Sequence, residues 1–118
     1  MRILIADDNR DITDSFGILL EALGHEVATA YDGIEACDVA TAFLPEAALL
    51  DIRMPLRHGY EVAMFLGTLG SLRDGCLIGM TGEGGPDAAL RAREAGFSHL
   101  VYKPAEIGTI VALLDRTT

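Results

Sequence analysis

Two aspartates, Asp7 and Asp8, stand directly behind the apolar run Met1-Arg2-Ile3-Leu4-Ile5-Ala6, and a third, Asp51, ends a second run, Ala47-Ala48-Leu49-Leu50. If both runs are neighbouring parallel strands, three carboxylates meet at one edge of one sheet. Carboxylates so close repel one another, and the grouping makes sense where a hard divalent cation or a transferred charged group lies between them. Thr81 ends a fourth strand and Lys103 a fifth, adding a hydroxyl and an ammonium at the same end. Ligands of open α/β sheets bind beyond the carboxyl ends of the strands. Five polar residues at four such ends read as a phosphoryl-handling site with Mg²⁺, which takes oxygen ligands and retains waters. No His/Cys cluster competes, which argues against zinc.

Charge assigns the roles. Asp51, at the centre, is placed to attack phosphorus and become an acyl phosphate, as carboxylate nucleophiles do. Asp7 and Asp8 hold the metal, whose charge offsets that of the equatorial phosphoryl oxygens. Lys103 pairs with Asp51 before transfer and with a phosphoryl oxygen after it, and Thr81 donates a hydroxyl hydrogen bond to that oxygen.

The elements that must position these residues follow from periodicity and punctuation. Residues 2–6 form a continuous apolar strand. Asp11 is an expected N-cap, followed by Ile12, Phe16, Leu19, Leu20 and Leu23 at helical spacing and closed by Gly24; Ile12, Leu19 and Leu23 are expected in the core. Strand two spans 26–30, Asp32-Gly33 turns into a helix that Pro45 stops, and strand three spans 47–50. The loop 54–59 leads to a helix over 60–69 with no clear apolar face. Strand four spans 76–80, and Pro86 opens a helix ending before Gly96. Strand five covers 99–102 and the last helix 106–114. Strands alternating with helices, and apolar throughout rather than at every second residue, indicate a parallel sheet covered on both faces.

At 118 residues the chain has room for one domain, 1–118, with a modest core. Its formal charge of −9, with no cluster of Lys and Arg, argues against direct nucleic-acid binding and against acidic lipid surfaces. Cys37 and Cys76 read as small buried thiols. No stretch approaches the ~20 apolar residues of a membrane span, and the acidic pair interrupts anything like a signal peptide. A cytoplasmic setting is expected.

The Asp7-Asp8 pair, Asp51 followed by Met54-Pro55 and Gly59, Thr81, and Lys103-Pro104 match in order and spacing the motifs of a known family. The chain resembles the receiver domain of two-component response regulators over essentially its whole length. The resemblance implies a doubly wound, flavodoxin-like five-stranded sheet of order 2-1-3-4-5. It implies phosphoryl transfer from a phosphohistidine, on a histidine kinase or histidine phosphotransfer domain, to Asp51. It further implies Mg²⁺ held by Asp8, Asp51 and the backbone carbonyl of Arg53, with Asp7 acting through water, and a cis Lys103-Pro104 bond. Output would pass through the face of helix four, strand five and helix five, to a downstream protein or to fused kinase domains. The stretch 95–99 looks most like receivers attached to hybrid histidine kinases. Part of the first helix would form the kinase docking area.

Three positions depart from the family pattern. Leu100 stands where an aromatic is usual, His58 precedes Gly59 in place of a small or acidic residue, and the loop Gly82-Glu83-Gly84-Gly85 is unusually rich in glycine. That loop lacks the Gly-Lys-Ser/Thr ending of a nucleotide-binding loop and reads as a switch loop. Arg53 and Glu83 flank the mouth, where the family tunes hydrolysis of the aspartyl phosphate. Of the three histidines, His25 and His99 read as structural or exposed, and His58 alone lies near the site. Ala88, Ala89, Ala92 and Ala95 give the fourth helix a small-residue face. Two other functions compete. A receiver-like interaction module working without phosphorylation would not need Asp8, Asp51, Thr81 and Lys103 together. A small Mg²⁺-dependent phosphatase would need a substrate cap and a further acid.

Overall fold

A computed structural model describes residues 1–74, 76–82 and 84–116. Five strands and five helices alternate: β1 (Arg2–Ala6), α1 (Arg10–Ala22), β2 (Glu26–Ala30), α2 (Gly33–Phe43), β3 (Ala47–Asp51), α3 (Gly59–Leu69), β4 (Leu77–Thr81), α4 (Pro86–Ala95), β5 (His99–Tyr102) and α5 (Ile107–Asp115). The strands form one parallel sheet in the order β2-β1-β3-β4-β5. Every residue of β3 and β4 is buried, whereas the edge strands β2 and β5 are partly exposed. This is the expected flavodoxin-like architecture.

Alternate residues of a strand point to opposite faces, so the sheet has two cores. On one face Leu4, Ala6 and Leu50 pack with Val62 and Leu66 of α3 and with Ala92 and Ala95 of α4. On the other, Ile3, Ile5, Leu49 and Ile78 pack with Leu20 of α1 and with Ile110 and Leu114 of α5. Register then aligns the polar residues. Ala6 pairs with Leu50, so Asp7 and Asp51 are neighbours; Asp51 pairs with Met80, and Thr81 with Tyr102, one residue before Lys103.

The first helix corrects two expectations. Its N-cap is Asn9, whose Oδ1 accepts the N–H groups of Asp11 and Ile12 at 3.1 and 3.4 Å; Asp11 lies in the first turn. Its buried residues are Thr13, Gly17 and Leu20, with Phe16 half-buried, while Leu19 and Leu23 are 44% and 58% exposed and Ile12 is only half-buried. Two stripes at three–four spacing exist on this helix. The one facing the sheet is the less hydrophobic, because Gly17 lets the helix approach β2: a Cβ there would lie 3.6 Å from Val27 Cγ1. On α4, only Ala92 and Ala95 of the four alanines are buried, and Ala89 is exposed. The facing of α3 is settled by Gly59, Val62, Ala63 and Leu66, which turn inward. Cys37 and Cys76 are both buried.

Gly59 is a packing requirement rather than a flexible joint. A Cβ there would lie 2.5 Å from the Asp51 carbonyl oxygen and 2.7 Å from Ile52 Cα. Gly67, on the same helix, has nothing within 4 Å of such a Cβ. Chemical denaturation should separate the two: Gly59→Ala loses about 2–3 kcal/mol through overpacking, and Gly67→Ala gains about 0.5–1 kcal/mol from helix propensity. Equal effects would refute the assigned contact.

Candidate functional site

Asp7 is fully buried, and each of its polar atoms is fixed by neighbours. Its N–H donates to the Ala30 carbonyl at 3.2 Å, and its carbonyl accepts the Thr13 hydroxyl at 3.0 Å. Oδ1 accepts the Asn9 N–H at 2.9 Å. Oδ2, also buried, faces Lys103 Nζ at 3.1 Å as an ion pair. Asp51 is 4% exposed. Its Oδ1 accepts the Arg53 N–H at 3.3 Å, and its Oδ2 pairs with the same Lys103 Nζ at 3.3 Å. Asp8 is exposed beside them, and one carboxylate oxygen from each of Asp7, Asp8 and Asp51 lies within 4.8 Å of the others.

Thr81 is buried at the end of β4, where its carbonyl accepts the Lys103 N–H at 2.7 Å, and the Lys103-Pro104 peptide is cis as the resemblance implied. The structure thus gathers Asp7, Asp8 and Asp51, with Lys103 reaching across from β5. The backbone N–H of Arg53 also faces the cluster. Of the two residues expected to flank the mouth, Glu83 lies outside the described residues.

Lys103 pairs with Asp7 as closely as with Asp51, a contact that the strand-end argument did not anticipate. Sequence reasoning also missed Asn9 and Thr13. Asn9 caps α1 and anchors Asp7; Thr13 is a fully buried hydroxyl that bridges the carbonyls of Asp7 and Asn9, at 3.0 Å each. An Asn just ahead of a helical run is a capping signal that was available. A Thr inside the helix carries no comparable mark.

The electrostatics follow from burial and crowding. Burial, and then the neighbouring Asp7 charge, push Asp51 up to about 6, against the pull of Lys103 and the Arg53 N–H. Burial disfavours the Lys103 ammonium, but its bond to Asp7 and the charges of Asp51 and Asp7 outweigh it, and its pKa rises. Burial, assisted by the Arg91 charge, lowers His58, so the neutral ring accepts the Tyr60 N–H at Nδ1 and caps α3. His25 likewise has a structural contact, with the N-terminal ammonium at 3.1 Å.

A carboxylate triad in which two buried acids share one ammonium fits a divalent cation that takes hard oxygen ligands. Among the described residues no other such group of His, Cys, Asp and Glu occurs.

A family model described as the response regulator receiver domain matches residues 3–115, and the chain belongs to that family. Among curated proteins, it is 32% identical over 99% of its length to the response regulator MprA of Mycobacterium avium, covering 52% of that protein. It spans about half the length of the curated relatives it matches. Among solved structures, the chemotaxis protein CheY4 of Vibrio cholerae superposes with a TM-score of 0.89 at 25% identity, over 99% of this chain and 98% of that one. A response regulator protein from Burkholderia pseudomallei, solved with a phosphorylated aspartic acid, a calcium ion and citrate, gives 0.86 at 26% identity, over 96% and 65%. The chain is a receiver-domain phosphoacceptor module whose Asp7/Asp8/Asp51 cluster suits Mg²⁺-mediated phosphorylation chemistry. No helix of the described residues is long and apolar enough to cross a membrane.

The raised Asp51 value has a thermodynamic sign. Its folded-state pKa of about 6 exceeds the ordinary 3.8, so the metal-free domain loses stability as pH rises through that interval and the loss is complete above it. Asp51→Asn removes this penalty and should be more stable than the parent by about 1–2 kcal/mol at neutral pH. The advantage should vanish below about pH 4. Urea melts of both proteins across this range check it; parallel stability curves would contradict the assignment.

Proposed function

We propose that Asp51 takes a phosphoryl group from a phosphohistidine, with Mg²⁺ held by Asp7, Asp8, Asp51 and the backbone carbonyl of Arg53. The observation that carries this reading is the single Lys103 ammonium lying between two buried carboxylates, at 3.1 and 3.3 Å. One cation cannot neutralise both, and a carboxylate left short of positive charge at a sheet edge suits a metal-assisted group transfer.

An Asp51 carboxylate oxygen bonds to phosphorus while the bond from phosphorus to the donor imidazole nitrogen breaks, and the electron pair leaves with the imidazole. Bound Mg²⁺ supplies positive charge to the oxygens of the group in flight. Asp51 is oriented by the Arg53 N–H on Oδ1. Lys103 exchanges its Asp51 contact for a phosphoryl oxygen and retains Asp7. Thr81, at the end of the adjacent strand, donates its hydroxyl to the same oxygen. The phosphorylated aspartate and calcium ion of the Burkholderia pseudomallei relative support this chemistry by likeness.

The donor is a histidine kinase or histidine phosphotransfer domain. Docking on α1 is supported by the exposure of Ile18 and Leu19 on that helix and of Leu23 at its C-cap. The phosphorylated module, a single domain in the cytoplasm, changes its α4, β5 and α5 face for a downstream protein or for fused kinase domains. With a charge of −9 it makes no direct contact with nucleic acid.

Intact mass after incubation with Mg²⁺ and acetyl phosphate should show one phosphate adduct, absent from Asp51→Asn. An adduct that survives the substitution removes Asp51 as nucleophile; none from small donors or a histidine kinase favours the interaction module. Asp8 is tested apart from transfer. Asp8→Ala should weaken Mg²⁺ binding by about tenfold or more, read by Mg²⁺ titration of thermal unfolding. Equal affinities would exclude Asp8 as a ligand.

A further inference from the structure

Helix α4 is held to the rest of the protein lightly. Its buried residues are two alanines, Ala92 and Ala95, and its N-cap Gly85 makes no side-chain cap hydrogen bond. Space flanks it on both sides. A groove of about 320 Å³ is lined by Tyr60, Met64, Arg91, Glu94 and Ala95, and a void of about 110 Å³ lies by Ala92, Phe97 and Leu100. Across the groove the Arg91 guanidinium lies 4.9 Å from the centre of the Tyr60 ring. The same ring meets the His58 ring at 4.8 Å and the edge of Phe97 at 6.4 Å.

Tyr60 also directly follows Gly59, which packs on the backbone of Asp51 and Ile52. Its N–H is capped by His58, and the preceding Gly59 donates its N–H to the Ile52 carbonyl at 2.8 Å. Gly59 leaves no slack, because the Asp51 carbonyl and Ile52 Cα occupy the space of a missing side chain. A shift of the Asp51 backbone therefore moves the first turn of α3 with it, and a packed contact transmits displacement rather than absorbing it. Leu100, the residue standing where the resemblance leads one to expect an aromatic, packs against the inner core instead.

We propose that Tyr60 is a positioning residue that couples Asp51 to α4, carried by Gly59 on one side and by its stack with Arg91 on the other. Phosphorylation changes the charge at Asp51 and so the forces on its backbone; α3 begins from that backbone, and Tyr60 is the first large side chain of α3 to touch α4. The gaps beside α4 allow it to follow. This coupling rests on the phosphoacceptor reading and adds to it a route distinct from Thr81 and Lys103.

Amide chemical shifts with Mg²⁺ and beryllofluoride, a phosphoryl mimic, test it in the parent, Tyr60→Leu and Arg91→Gln. In the parent, residues 81–82 and 101–103 at the site and residues 88–95 of α4 should all respond. Both variants should keep the site response and lose about half or more of that in α4. Arg91 is exposed, so Arg91→Gln remains informative even where Tyr60→Leu fails to fold. A full α4 response in Arg91→Gln, or a parent that responds at the site and not in α4, overturns the coupling alone. No response anywhere in the parent overturns the phosphoacceptor reading together with it. Without any ligand, Asp51→Asn should shift α4 amides when Tyr60 is present and not in the Tyr60→Leu background; equal shifts in both also overturn the coupling.

Discussion

Asp7 and Asp51 are buried carboxylates on adjacent strands, and one ammonium stands between them. Their mutual repulsion is set by the sheet, since the pairing of Ala6 with Leu50 puts the two acids side by side. Lys103 is the chain's one lysine among nine basic residues. An arginine there would bring a planar fork suited to binding one carboxylate with two bonds, whereas an ammonium is a compact point charge that contacts both and is free to turn toward a third oxygen. Because each acid has only part of that charge, Asp51 stays hard to ionise without further positive charge, and the pocket is poised for a metal and for a group that arrives charged.

The opposite edge of the sheet shows charge used differently. Glu46 accepts the Arg2 N–H at 3.0 Å and pairs with Arg73 at 2.8 Å, while Arg2 also reaches the carbonyls of Phe43 and Leu44. The bond from the Arg2 backbone, with both guanidinium groups, holds Glu46 below the ordinary carboxylate range. There every oxygen has a donor and the network ties β1 to β3 and to the loop before β4. At the carboxyl edge, by contrast, Asp7 Oδ2 shares one ammonium, that of Lys103 at 3.1 Å, with Asp51. Two buried carboxylates drawing on one cation leave the site short of positive charge, which suits a ligand that brings more.

Much of this was legible in the sequence, because the site residues sit at element ends where continuous apolar runs stop. A run of four buried residues followed by an acid identifies both the strand and the position of the acid, and the sheet order then brings the acids together. The support of those acids was not legible. Asn9 displaced Asp11 as N-cap, since two polar residues near a helix start are equivalent to a pattern and only geometry shows which one turns its side chain back. The dual pairing of Lys103 needed the distance from β5 to β1 across two intervening strands. The role of Gly59 needed the close approach of the Asp51 carbonyl, which no composition rule reports.

The misjudged face of α1 has the same origin. Thr13 faces inward because the Asp7 carbonyl needs a donor there, and Gly17 lies against β2, where a Cβ would meet Val27 and Thr29 at 3.6 and 3.8 Å. Those positions belong to the sheet-facing stripe but carry little hydrophobic signal, so Leu19 and Leu23 dominate the pattern while pointing outward. Holding the acid in place thus sets the rotation of the helix, and that rotation leaves Leu19 and Leu23 on the surface. The apolar surface that suits a docking partner and the hydrogen bond that orders Asp7 are two consequences of one helix orientation.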